Sequence, residues 1–575
     1  MKNPSFVYRI RFLGVGIFLF ALILAGKLYA IQIIDGNFWI EKADRQYARS
    51  DTALFDRGAI YFTSKDGTVV SAATLKTGYV LAVDPLHVED PVELYKEVAP
   101  FITLSQEEFI DKATRKARYV ELATHLPQDV ADKIEALDER SLVVSKDRWR
   151  FYPGGSLASH SLGFLAFKGD EYAGRYGLER YYEDILARNR GEEYVNFFAE
   201  IFSNIKDTVA HGGPLEGDIV TTIEPTVQGM LEEKIAEINH TWSSKFTGGI
   251  IMDPKTGEIY ALALYPSFDP NDFSDVDDVA RFSNPMVENV FEMGSIIKPL
   301  TMASGLDTGA VTARTTYNDP GCMVLNSSKI CNYDGRARGV VPMQEVLNQS
   351  LNTGVTFVMQ QMGKNIFADY LKDFGIGVET GIDLPNETHG LITNLESPRE
   401  IEYATASFGQ GIAITPIETV RALSALGNGG VLPSPHIVKE IRYRVGGSKE
   451  ITYPPGKQVI KPETSTEISR MLTEVVDKAL LNGNIAMEGY SIAAKTGTAQ
   501  IANPNGGGYY DDRYLHSFFG YFPSYDPKFI VFLFTVEPVG VRYASETLTV
   551  PFSDITKYLI GYYAVPPDRG DASLE

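Results

Sequence analysis

From Phe12 to Ile34 the chain is a run of apolar and small residues broken by Lys27 and Gln32, and this run decides what the rest can be. It is long enough to cross a bilayer as a helix, and Lys27 lies near enough to its outer end to snorkel. Lys2, Arg9 and Arg11 precede it, and no acidic residue appears before Asp35. The positive-inside rule therefore predicts a cytoplasmic tail at 1–11, a membrane span at 12–34 and an exported remainder. A cleaved signal peptide shares the basic start and apolar core. The exit Gly26-Lys27-Leu28-Tyr29-Ala30, however, lacks a small-x-small cleavage site. The reading is an uncleaved, single-pass anchor.

At 575 residues the chain exceeds one ordinary core, so two or three folded units are expected behind the anchor. A net charge of −21 excludes nucleic acid as a partner, because phosphate binding needs a basic face. The eight histidines form no HExxH and no Cys/His cluster, so the sequence offers no catalytic metal site.

Residues 35–215 read as a mixed, irregular unit with no catalytic constellation, hence a scaffold or docking element. Asp56-Arg57-Gly58-Ala59-Ile60-Tyr61 followed by Lys65-Asp66-Gly67 predicts a strand, an Asp-Gly turn and a second strand. Residues 91–145 carry helical periodicity. A Gly-Gly-Pro break at 212–214 precedes a strand at Asp218–Thr222 and a helix at 225–238 with Val227, Met230, Leu231 and Ile235 on one face. Residues 248–253 and 257–262 flank a Pro-Lys-Thr-Gly turn and predict a hairpin. Strands, a block of helices and more strands predict an α+β domain over 216–565, with a frayed tail at 566–575.

The chemistry centres on Gly294-Ser295-Ile296-Ile297-Lys298-Pro299. On a helix, residues three apart share a face, so Ser295 and Lys298 can hydrogen-bond. Pro299 places Ser295 near the start of that helix. A serine hydroxyl needs a neighbour to take its proton, and a desolvated lysine is neutral enough to do so. Alone the motif is weak, since Ser203-Asn204-Ile205-Lys206 repeats it and Lys-Thr-Gly occurs at Lys76, Lys255 and Lys495. Order decides between the copies. Ser350-Leu351-Asn352 follows the first motif, and Lys495-Thr496-Gly497-Thr498 ends a small-residue strand beside which a substrate backbone can lie.

Ser295-x-x-Lys298, Ser350-x-Asn352 and Lys495-Thr496-Gly497 in that order resemble the three signature motifs of penicillin-binding proteins and serine β-lactamases. Ala406–Ile412 with Thr415-Pro416, and His516–Pro523, resemble the family's segments after the second and third motifs. Asp56–Ile60, Tyr152–His160 and Tyr176-Gly177-Leu178-Glu179 resemble the class B pedestal rather than a glycosyltransferase domain. The resemblance implies a penicillin-binding, serine β-lactamase-like transpeptidase domain, an antiparallel sheet flanked by helices, on an elongated mixed α/β pedestal of the dimerisation type. The implied activity is peptidoglycan D,D-transpeptidation through a Ser295 acyl-enzyme, without a cofactor. Lys298 would accept the proton, Ser350 relay it to the leaving amine and Asn352 hold the acyl side chain. Lys495 and Thr496 would bind the terminal carboxylate beside Gly497. The N–H groups of Ser295 and Thr498 would form the oxyanion hole, worth about 3–4 kcal/mol per donor. Stem peptides ending in D-Ala-D-Ala, β-lactams, the cytoplasmic membrane, a polytopic glycosyltransferase and other cell-wall synthesis proteins are the implied partners. A β-lactam sensor, a D,D-carboxypeptidase or a β-lactamase would use the same acyl-enzyme.

Cys322 and Cys331 are the only cysteines, and both fall in the exported part, where an oxidising compartment favours a disulfide over two reduced, buried thiols. Asn326, Ser327 and Ser328 supply a turn that would bring them together, stiffening a loop near the cleft by roughly 2–3 kcal/mol in the chain-entropy model.

Overall fold

The computed structural model describes residues 55–168, 171–188 and 216–569, except 277, 446 and 505. The apolar run 12–34, the basic tail before it, the second Ser-x-x-Lys at Ser203 and the Gly-Gly-Pro break lie outside the described residues. Among those described, no helix is long and apolar enough to cross a membrane.

Two compact units divide the chain. Among the described residues the smaller takes in 55–56 and Leu75–Trp149. Here residues 79–83 pair antiparallel with the strand Val120–Leu126, and the helices Pro91–Val98, Gln106–Ala113 and Gln128–Glu135 complete the unit. Leu81, Val83, Leu94, Val98, Phe109, Leu122 and Ile134 form its core. The helical periodicity expected across 91–145 therefore holds only in pieces, because strands at Val120–Leu126 and Leu142–Phe151 interrupt it. Leu122 and Leu126 are the buried residues of the first strand, and their spacing of four fits a helix as well as a bulged strand.

The larger unit takes in 57–74, 150–188 and 216–569 among the described residues. Segments on both sides of the small unit thus share one core with the C-terminal half: Ile60, Phe62, Tyr152 and Leu178 pack in the same cluster as Ile219. The strand Ile60–Thr63 turns at Asp66-Gly67 to pair antiparallel with residues 69–73, and pairs in parallel with Gly217–Thr221. Beneath this lies a buried ion cluster assembled from three distant stretches. Arg57 Nε and Arg150 Nε donate to the two oxygens of Glu179 at 2.7 and 2.6 Å, and Tyr152 donates to it at 3.1 Å.

The C-terminal half is built on a helix, α1 (Pro225–Trp242), and five antiparallel strands: β1 (Phe246–Met252), β2 (Ile259–Tyr265), β3 (Ala493–Ala502), β4 (Tyr509–Phe522) and β5 (Phe529–Val536). Their spatial order is β3-β4-β5-β1-β2, so β3 is an edge strand. Every residue of β5 is buried, because apolar layers cover both faces of the sheet. Phe532 and Phe534 join Ile250 and Met252 toward one layer. Val531 and Leu533 join Ile251 toward the other, where α1 supplies Val227, Leu231 and Ile235. The helix α2 (Lys298–Asp307) contributes Leu300 and Met302 to the first layer. The strand period of two, applied to a sheet apolar on both sides, thus makes one wall of the helical block and one of the α1 layer.

The C-terminal end departs from the frayed tail expected of it. Residues 566–569 are tied down: Asp568 accepts from Ser491 N at 2.7 Å, and Arg569 pairs with Asp477 at 2.9 Å. Residues 570–575 lie outside the described part.

Candidate active site

Ser295 sits in a 3₁₀ turn, Gly294–Ile297, that runs into α2, with Pro299 in the first turn of that helix. Gly294 has φ +66°, and a Cβ there would stand 2.8 Å from Thr498 O. Only glycine lets this turn lie against β3. Gly497 serves the same approach from the other side, since a Cβ on it would meet Ser517 Oγ at 2.3 Å and Met293 O at 2.7 Å.

Ser295, Lys298, Ser350, Asn352, Lys495, Thr496 and Thr498 line one cleft of about 660 Å³. Gly497 and Cys322 are not part of its lining; Cys331 is. The other Lys-Thr-Gly copies stand elsewhere. Lys76 belongs to a strand of the small unit, and Lys255 lies in the β1–β2 turn, ion-paired with Asp526.

Lys298 is 1% exposed. Its ammonium donates to Ser350 O at 2.6 Å and Ser350 Oγ at 3.1 Å. The Ser295–Lys298 bond that the spacing allows is not formed among the described residues. The backbone of Ser350 is left-handed at φ +55° as the chain leaves the helix Met343–Asn348. That conformation is the one a helix terminus commonly reserves for glycine. Burial pushes the Lys298 ammonium well below the ordinary lysine range, and the charge of Lys495 pushes it the same way. Lys495 is buried as well and is lowered to about 8 by desolvation.

Asn352 opens the helix α3 (Asn352–Met362) and donates to Cys331 O at 2.8 Å. Cys322 and Cys331 face each other across a hairpin, Cys322–Leu325 with Ser328–Cys331, and their sulfurs are bonded. The turn is Asn326-Ser327, both at positive φ, the two-residue geometry that matches strand twist.

Sequence reasoning missed Asp319. Its carboxylate accepts from Gly321 N, Asn332 Nδ2 and Arg338 N, each at 3.0 Å, and from Thr353 Oγ1 at 2.7 Å. Burial works to raise it, but these bonds, led by that of Thr353, hold it below the usual aspartate range. It thereby fixes the residue next to Asn352. No signal in a lone loop aspartate announces this. The cleft's apolar side, Val475, Ala479, Leu480 and Leu481, was also unmarked in the sequence.

A serine at the head of a helix, a desolvated lysine one turn on, a second serine bonded to that lysine and a lysine-bearing edge strand define a serine acyl-transfer site on an α+β fold. Residues 247–556 match the penicillin-binding protein transpeptidase domain, and 55–222 match the penicillin-binding protein dimerisation domain. The chain is 32% identical to stage V sporulation protein D of Bacillus subtilis, over 96% of this chain and 85% of that protein. It is 30% identical to a probable peptidoglycan D,D-transpeptidase, PenA, of Neisseria meningitidis, over 96% and 92%. The crystal structure of apo penicillin-binding protein 3 from Mycobacterium tuberculosis superposes with a TM-score of 0.64 at 26% identity, covering 73% of this chain and 92% of that one. The chain belongs to the class B penicillin-binding proteins.

Proposed function

We infer that this chain is a peptidoglycan D,D-transpeptidase and β-lactam target that works through an acyl-enzyme on Ser295. The observation that carries the assignment of roles is Lys298: a buried amine, held below its ordinary pKa, 3.1 Å from Ser350 Oγ in the cleft that Ser295 lines. A stem peptide laid along the free edge of β3 adds a strand to the sheet, which brings its penultimate carbonyl to Ser295. Ser295 Oγ attacks that carbonyl and neutral Lys298 takes its proton. The N–H groups of Ser295 and Thr498 hold the oxyanion. Ser350, bonded to Lys298, passes the proton to the departing D-Ala amine. Lys495, with Thr496, holds the terminal carboxylate, and Asn352 holds the acyl side chain. An amine from a neighbouring strand then takes the acyl group and closes the cross-link. Penicillins acylate Ser295 in the same way.

The finer placement follows from the sequence. Residues 12–34 anchor the chain with its N-terminus in the cytoplasm, the stretch 35–215 serves as a pedestal before the transpeptidase at 216–565, and a polytopic glycosyltransferase of the same membrane is the partner. The apolar run with basic residues only before it supports this topology.

Ser295→Ala tests the assignment. It is expected to abolish covalent labelling by a fluorescent penicillin while leaving the melting temperature unchanged. Undiminished label on the variant, or label mapped to another serine, refutes it.

A further inference from the structure

The cleft is also bounded by an unusual stretch of chain. The helix α4 (Pro462–Glu474) widens into a π-turn at Val475–Ala479. A turn follows in which Leu481 (φ 49°, ψ 37°) and Asn482 (φ 57°, ψ 36°) are both left-handed. A bulky residue seldom adopts that conformation, and π-turns and strained residues gather where function fixes a side chain. Leu481 is 37% exposed and lines the cleft with Leu480.

Something must hold this turn, and the residues that do so come from the C-terminus. Arg569 donates through Nη1 and Nη2 to the two oxygens of Asp477, in the middle of the π-turn, at 3.1 and 2.9 Å. Asp477 O faces Gly483, where a Cβ would stand 2.3 Å from it, so the turn is folded tightly back on the residue that Arg569 grips. Asp568 and Arg569 both donate their N–H groups to Gly489 O, at 3.0 and 3.1 Å. Asp568 accepts from Ser491 N at 2.7 Å and from Ser491 Oγ, four residues before Lys495. Ser491 Oγ in turn accepts from Ser524 N at 2.8 Å. Two adjacent residues at the end of the described chain therefore fasten both the apolar wall and the root of the lysine-bearing strand.

The geometry points to Arg569 and Asp477 as a positioning pair that holds Leu481 in place as a substrate-facing wall of the cleft. Leu481 is the specificity-determining group, offering an apolar surface to the acyl donor in the cleft. Arg569 touches no reacting atom and acts through Asp477. This rests on the acyl-enzyme reading of Ser295.

The test uses the full chain in detergent and measures the rate of fluorescent-penicillin labelling against penicillin concentration. Arg569→Ala is expected to raise the half-saturating concentration about tenfold, within the roughly 10²-fold that a misplacement of about 1 Å costs, with the limiting rate retained. Leu481→Ala is expected to give the same rise, the double variant no more than either single one, and Arg569→Lys a partial return. A variant that is merely less stable labels a smaller fraction of molecules without moving the half-saturation. An unchanged half-saturation in Arg569→Ala, or additive effects in the double variant, overturns the inference. Failure of the wild-type chain to label at Ser295 overturns the reading beneath it instead, so the two failures are distinguishable.

Discussion

The proposed role of Lys298 as proton acceptor makes a quantitative demand. An ordinary lysine with a pKa of about 10.4 is neutral in roughly one molecule in 2,500 at pH 7, so presenting the free amine costs about 4.6 kcal/mol. In this fold burial, reinforced by the charge of Lys495, lowers that cost by disfavouring the ammonium. Replacing Lys298 by Met keeps the length of the buried stem and deletes the base. Acylation of Ser295 is expected to fall by roughly 10²–10⁴-fold, the span general-base catalysis covers. The assay is the second-order rate of penicillin labelling between pH 5 and 10. Because the Lys298 pKa is lowered, the wild-type rate is full above that pKa and is lost as pH falls through it. Lys495→Met removes a neighbouring positive charge, so Lys298 should hold its proton more tightly and the acid limb should move to higher pH. A Lys298→Met variant that labels within tenfold of wild type would refute the reasoning. So would an acid limb that stays in place, or moves down, in Lys495→Met.

Three further expectations follow from the packing and the sequence. Glu179→Gln leaves Arg150 buried without its carboxylate and should cost about 3–5 kcal/mol, read as a shift of the denaturation midpoint; a loss near 1 kcal/mol would mean the cluster is an ordinary hydrogen-bonded site. Burial raises Glu179, but Arg150 and Arg57 outweigh it and lower its pKa, so its contribution is present above the ordinary glutamate range and is lost as pH falls through the folded value. Gly497→Ala puts a methyl group 2.3 Å from Ser517 Oγ and 2.7 Å from Met293 O, so the Ser295 turn must move off β3 and labelling should drop by roughly tenfold or more; an unaffected rate would show that the contact is not needed. Residues 12–34 should remain on the mature protein, so that detergent but not salt releases it from membranes; a mature N-terminus beyond residue 25 would exclude the anchor.

What the sequence made legible was whatever a local pattern determines. The Asp66-Gly67 turn, the Pro-Lys-Thr-Gly hairpin and the apolar face of α1 depend on residues within a few positions of one another, and each stands in the structure where its pattern predicts. Met230 is the exception on α1, only partly buried where Val227, Leu231 and Ile235 are fully so. The order of the three motifs was legible because each carries its own chemistry in its letters. The relation between them was not, since it depends on backbone conformation. Nothing in Gln349-Ser350-Leu351 announces a left-handed serine whose carbonyl accepts from Lys298.

The same distinction explains the two ion clusters. Arg57 and Glu179 sit in stretches singled out by their resemblance and Arg150 lies two residues before a third, but their meeting is a fact of tertiary structure, with Arg57 and Arg150 122 and 29 residues from Glu179 along the chain. Burying three charges is worthwhile only if each finds its partner, so the cluster ties together strand, loop and helix segments that lie on both sides of the small unit in sequence. Arg569 and Asp477 are 92 residues apart, and Arg569 lies in a stretch that reads as a tail. A composition-based reading assigns such a tail to solvent, because polar residues without periodicity carry no signal of docking. The docking is instead visible only in what the tail bonds to: the π-turn at the cleft's apolar wall and the serine that roots the Lys495 strand.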